Sequence, residues 1–180
     1  MSRVFIDPAE RYFEDFQRGD VVQTRGRTVE ASDFAAFAGL VGNHYPLHTD
    51  HEYGRRTRFG SRVAHGSFTL SLAIGLVGMT GYLGDAVVAQ LAINDVRALR
   101  PVVPGDTLAV TAIITGCEAQ AASRYGRVDI AYSVVNQAGD IVMSFEQGML
   151  VHRRSTQTEV SADHPASLAD IGKGHTDGAA

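Results

Sequence analysis

The chain has 180 residues, 44% of them hydrophobic and 20% charged, with a net charge of −4. That length suits one self-sufficient core, and an acidic balance without a basic stripe argues against a nucleic-acid partner. The single cysteine, Cys117, excludes an intrachain disulfide and any multi-cysteine metal site, and reads as a small apolar filler in a strand.

In chain order, residues Met1 to Asp20 read as an irregular lead-in, with Tyr12, Phe13 and Phe16 able to pin it to the body. Acidic and aromatic residues come too early there for a signal peptide. Val21 to Val29, rich in Val and Thr, reads as a strand. Ser32 is a suitable N-cap for a helix that carries Phe34, Phe37, Ala38 and Leu40 at helical spacing and closes at Gly39 and Gly42. A short helix over Glu52 to Arg56 follows, with Asp50 as its N-cap. From Ser67, the apolar residues Phe68, Leu70, Leu72, Ala73, Leu76, Val77 and Met79 cover most of a helical circumference, which predicts a helix buried on nearly every side. The stretch Phe68 to Tyr82 is too short and mixed to span a bilayer. A soluble, cytoplasmic protein without membrane contact is the expectation.

The second half changes period. Ala86–Leu99, Thr107–Gln120, Arg124–Asn136 and Ile141–Arg153 are Val- and Ile-rich runs. They are separated by turns at Pro101 to Asp106, Ala121 to Ser123 and Gln137 to Asp140. Short connections favour antiparallel pairing. One apolar helix and five or six strands make an α+β layer arrangement, an antiparallel sheet wrapped around a long central helix. Its open sheet edges would be covered by a twofold dimer. Residues 155–180 are small and polar and read as a flexible tail, so one domain is expected over 1–154.

Chemistry is concentrated in one place. His44, His48, His51 and His65 fall within 22 residues, and the whole chain has seven histidines. Imidazole titrates nearest neutrality. His65-Gly66 stands at a helix start, where free backbone N–H groups can hold a developing negative charge. The spacing His44-x₃-His48-x₂-His51 also raises a zinc site, but Pro46 lies inside the span and breaks the helix that the spacing requires. Neither a metal nor a cofactor is called for.

The strings Tyr12-Phe13-Glu14-Asp15-Phe16-Gln17-Arg18-Gly19-Asp20, Pro46-Leu47-His48-Thr49-Asp50, Thr57-Arg58-Phe59-Gly60, Val63-Ala64-His65-Gly66 and Leu99 to Leu108 resemble, in order and spacing, the MaoC-like dehydratase family, which includes the (R)-specific enoyl-CoA hydratases. The resemblance covers roughly residues 10 to 153. It implies a single hot-dog domain, paired into homodimers or higher assemblies, that adds water to or removes it from a 2-enoyl or 3-hydroxyacyl thioester of coenzyme A or an acyl-carrier protein.

The family's signature is Asp-x-Asn-Pro-x-His, and here it reads Asn43-His44-Tyr45-Pro46-Leu47-His48. The resemblance implies His48 as acid and base and Gly66 N–H as donor to the thioester oxygen. Asn43 stands where the family has Asp, and Tyr45 where it has Asn. A neutral amide is not a useful base near pH 7. Three readings follow: His48 carries both proton transfers with Asn43 positioning, His44 or Asp50 supplies the missing base, or the chain binds an acyl thioester without turning it over. Tyr45, His44, His65 and Ser67 are expected to line the substrate site. Arg58 and Arg62, in a basic patch with Arg55 and Arg56, are expected to bind coenzyme A phosphates. A hot-dog thioesterase is a further alternative, although Ala64-His65-Gly66-Ser67 offers no carboxylate to direct water.

Overall fold

The computed structural model describes residues 10–119 and 123–154; the expected tail and most of the turn at Ala121 to Ser123 lie outside them. A short 3₁₀ turn, Phe13–Asp15, precedes strands β1 (Val21–Gln23) and β2 (Arg27–Thr28). Helices α1 (Ala31–Val41), α2 (Pro46–Thr49), α3 (His51–Arg56) and α4 (Gly66–Gly78) follow. Strands β3 (Val87–Ala98), β4 (Thr107–Ala119), β5 (Tyr125–Val135) and β6 (Ile141–His152) complete the fold. The main sheet runs β1-β4-β5-β6-β3, all antiparallel, and β2 pairs separately with β4.

Alternation decides which face packs. In β5, Val128, Ile130, Tyr132 and Val134 are buried while their neighbours are half-exposed. Directly opposite on β6 lie Met149, Gln147, Phe145 and Met143, so one face of the sheet is continuous core. The core cluster joins this face to Phe68, Ala73 and Val77 of α4. The lead-in is pinned as expected: Phe16 is in the core, and the ring of Phe13 lies where a Cβ on Gly126 would stand.

Three local expectations are corrected. Residues 21 to 29 form two short strands rather than one, because the register against β4 slips by one residue between Gln23↔Thr111 and Arg27↔Leu108. The N-cap of α1 is Glu30 rather than Ser32, two residues earlier; its N–H donates to Asp33 Oδ2 at 2.8 Å, which ties down the helix start there. Helix α4 is not buried all round. Ser67, Ser71, Gly75 and Gly78 form an exposed stripe, while Phe68, Thr69, Ala73 and Val77 face the core. Small residues at i, i+4 and i+8 leave that face with little apolar surface to hide, whatever the helix's average hydropathy.

Candidate active site

The histidine segment is built around the join between α1 and α2. Helix α1 ends in a left-handed turn at Gly42 (φ 70°), a conformation that disfavours a Cβ. Asn43 Oδ1 then accepts the Tyr45 N–H at 3.2 Å, a local turn closed by the side chain. Pro46 opens α2, where its missing N–H costs nothing. His48 follows two residues later, in the same turn.

Two backbone carbonyls orient two imidazoles. His48 Nδ1 lies 2.6 Å from the carbonyl oxygen of Val63, so Nδ1 carries the proton and Nε2 keeps its lone pair. Val63 is itself fixed, because its N–H donates to the carbonyl of Leu47 at 3.1 Å. His65 Nε2 lies 3.0 Å from the carbonyl oxygen of Asn43, which makes Nε2 the donor. Its Nδ1 is buried without a hydrogen-bond partner, and the residue is 3% exposed. The two rings stack with centroids 3.7 Å apart and 25° between planes. Burial holds the His65 pKa below the ordinary imidazole value; the Asn43 carbonyl opposes this, and His48 and His44 add to it.

Helix α4 starts directly after His65. No side chain caps it, and the N–H groups of Gly66 and Ser67 have no partner within the helix. A Cβ built on Gly66 meets nothing within 4 Å, so the glycine faces open space. Beside it lies a cavity of about 300 Å³ with Leu47, Phe59, Val63, Thr69, Val102 and Met143 among its walls and Arg58 and Arg100 among its lining groups. The cavity touches Gly66 and Val63, and His48 is not among its lining residues.

The predicted site residues divide accordingly. Asn43, His48, His65 and Gly66 come together, with Tyr45 edge-on to His48 at 6.3 Å and its hydroxyl 3.4 Å from that of Tyr53. His44 is exposed but close enough to influence His65. Asp50 Oδ1 accepts the Tyr53 N–H at 3.0 Å, the N-cap role expected of it. Arg58 reaches the cavity, with its guanidinium 4.8 Å from the centre of the Phe59 ring. Arg62 buries its Nε without a partner. Arg55 pairs with Glu52 at 3.3 Å, and His51 opens α3. His44, His48 and His51 share no helix, and among the described residues no set of three or more His, Cys, Asp or Glu is arranged to hold a metal ion. Phe68, Leu72, Tyr82 and Leu91 do not line the cavity. Two participants escape a reading of side chains: the Val63 carbonyl, which any residue would supply, and Arg100, which only the β3–β6 pairing brings to the cavity.

A short helix cluster over an antiparallel sheet that packs along α4 defines the fold class. A protein from Mycobacterium tuberculosis with a double hotdog fold superimposes with a TM-score of 0.71 at 23% identity, covering 94% of this chain and 52% of that one. The MaoC like domain model matches residues 15–136, and the chain belongs to that family. It is 39% identical over 105 residues to Protein MaoC of Klebsiella aerogenes, covering 58% of this chain and 31% of that protein. It is 33% identical over 108 residues to the (R)-specific enoyl-CoA hydratase of Rhodospirillum rubrum, covering 58% of this chain and 70% of that enzyme. The structure of the monoamine oxidase regulatory protein from Archaeoglobus fulgidus superimposes with a TM-score of 0.76 at 35% identity, covering 81% and 96% of the two chains. The chain thus spans about a third of the length of Protein MaoC. Among the described residues no helix is long and apolar enough to cross a membrane.

Proposed function

We propose that this chain is a hydratase/dehydratase of 2-enoyl and 3-hydroxyacyl thioesters. The observation that carries the reading is the pairing of a His48 whose Nδ1 is occupied by the Val63 carbonyl with an uncapped α4 start at Gly66. In hydration, the oxygen of water bonds to C3 of the enoyl group while its proton passes to His48 Nε2. The electron pair of the double bond moves toward the thioester oxygen, where the N–H groups at the α4 start stabilise the charge. His48 Nε2 then returns the proton to C2. Water is thereby added whole, and dehydration is the reverse. One imidazole serves both transfers, so the reaction needs no carboxylate at position 43.

Asn43 holds the frame in this scheme. Its side chain closes the turn before Pro46, and its carbonyl holds His65, against which His48 stacks. The exposed edge strand β3, with Val87, Val88 and Val96 open, supports pairing with a second copy. The test is hydration of a panel of enoyl-CoA esters, followed by loss of the conjugated thioester absorbance, with the stereochemistry of the product determined. Turnover to an (R)-3-hydroxyacyl product supports the proposal. A second reading, an acyl-thioester binder without chemistry, is favoured by the amide at position 43. Tight binding of the esters with no turnover would establish it instead.

A further inference from the structure

We propose that Thr69 is a catalytic residue, its hydroxyl being a side-chain hydrogen-bond donor to the thioester oxygen beside the Gly66 N–H. The assignment rests on the thioester reading of this site and adds to it a side chain from the first turn of α4.

Thr69 departs from the other threonines at helix ends. Such residues commonly spend the hydroxyl on a carbonyl of the preceding turn. Thr49 does so toward Tyr45 at 3.3 Å, and Thr80 toward Val77 at 2.7 Å. The Thr69 N–H takes the His65 carbonyl at 3.2 Å, but among the described residues its hydroxyl has no hydrogen-bond partner. The residue is 3% exposed. Its oxygen is nevertheless not sealed in, since among the described residues the fully buried polar atoms without a partner belong to Arg11, Arg62 and His65. The surface that Thr69 keeps lies on the cavity, which it lines together with Gly66. Burying a hydroxyl without a partner costs stability, and a valine has the same shape without that cost. The hydroxyl is therefore matched to an atom that arrives with a ligand.

Its direction follows from the helix. Residues three apart share a face, and helical side chains lean toward the N-terminus. Thr69 therefore stands over the turn that begins at Gly66, where the N–H is free. A hydroxyl can donate to an oxyanion or hold a water, and the cavity separates the two roles. Gly66 lines it and His48 does not, so Thr69 belongs with the thioester oxygen rather than with the water that gives its proton to His48. A donor fixed there before the charge develops stabilises the transition state more than the bound ester.

The test is hydration of crotonyl-CoA by wild type, by Thr69→Val, which keeps the shape and loses the hydroxyl, and by Thr69→Ser, which keeps the hydroxyl. The expected result for Thr69→Val is a fall of about 10²-fold in kcat with little change in KM, and a melting temperature at or above that of wild type. Thr69→Ser should stay within a few-fold of wild type. A Thr69→Val variant with wild-type kcat overturns the proposal, as do equal losses in both variants, which indicate packing. Acetoacetyl-CoA supplies a readout without turnover, because it cannot be hydrated and its enolate absorbs in the ultraviolet. Its enolate-to-keto ratio should be about tenfold higher when bound to wild type than to Thr69→Val; an equal ratio overturns the proposal. A hydroxyl-dependent enolate without hydration of any ester supports the Thr69 assignment and defeats the hydratase reading. Equal hydration by wild type and Thr69→Val defeats the Thr69 assignment alone.

Discussion

Replacing His65 by Phe separates the stability of the site from its function. The ring shape is kept, so the stack on His48 at 3.7 Å and the contact with Phe37 at 5.3 Å survive. One hydrogen bond is lost, Nε2–H to the Asn43 carbonyl at 3.0 Å, with a net worth of about 1 kcal/mol. The exposed Asn43 carbonyl can turn to water instead. Against that loss, the variant removes a buried Nδ1 without a partner, whose desolvation costs about 1–3 kcal/mol. The balance is near zero or favourable, so His65→Phe should melt within a few degrees of wild type, or above it, at matched protein concentration. Acid stability sharpens the test. A histidine held neutral by burial binds fewer protons folded than unfolded. Wild-type stability therefore falls as pH drops below about 6.5, by up to about 1.4 kcal/mol per pH unit, until the lowered folded pKa is passed. The Phe variant should lose the His65 share of that slope. The same substitution unties the turn that carries His48, and kcat should fall about 10- to 100-fold. Thermal melts at pH 5 to 8 and hydration rates read all three effects. A loss of more than about 3 kcal/mol at pH 7, or an unchanged acid slope, would refute the reasoning about Nδ1.

Three further outcomes follow from the geometry. A Cβ at Gly54 would stand 2.6 Å from the Arg62 nitrogen and 2.8 Å from the Ser61 oxygen, so Gly54→Ala must move the segment leading to Val63; expect about 1–3 kcal/mol of destabilisation by denaturant melt and a lowered kcat. Asn43→Asp keeps an acceptor for the Tyr45 N–H, so melting should be unaltered and kcat should change by less than about tenfold; a rise of about 10³ would show that His48 alone is a poor catalyst and that the native chain is a degraded hydratase. Tyr132 donates to Gln147 Oε1 at 2.6 Å in the core, and burial pushes its phenol up to about 12. Tyr132→Phe strands that oxygen and should cost about 1–3 kcal/mol by denaturant melt.

Much of the fold was legible because periodicity carries it. The four long strands lie within a residue or two of their apolar runs, and α4 begins at the His65-Gly66 pair. The stripe Ser67, Ser71, Gly75 was present in the sequence, but an apolar average over the helix hides a face of small residues. The site was legible where it depends on side chains, as at His48 and Gly66. It was not where backbone does the work. The Val63 carbonyl fixes the His48 tautomer, yet nothing in a valine announces that role. Arg100 stands far from the histidine segment in the chain and joins the cavity only through the folding of β3 against β6. His65 was read as a lining residue, and its stacking on His48 depends on where two loops meet.

The central claim is that the His48 Nε2, freed by the Val63 carbonyl, moves both protons. Its most direct test is kcat for hydration of crotonyl-CoA by His48→Ala against wild type, with folding verified by melting. The account predicts a loss of about 10²- to 10⁴-fold with the fold intact. A folded His48→Ala that hydrates the ester within a few-fold of wild type would contradict it.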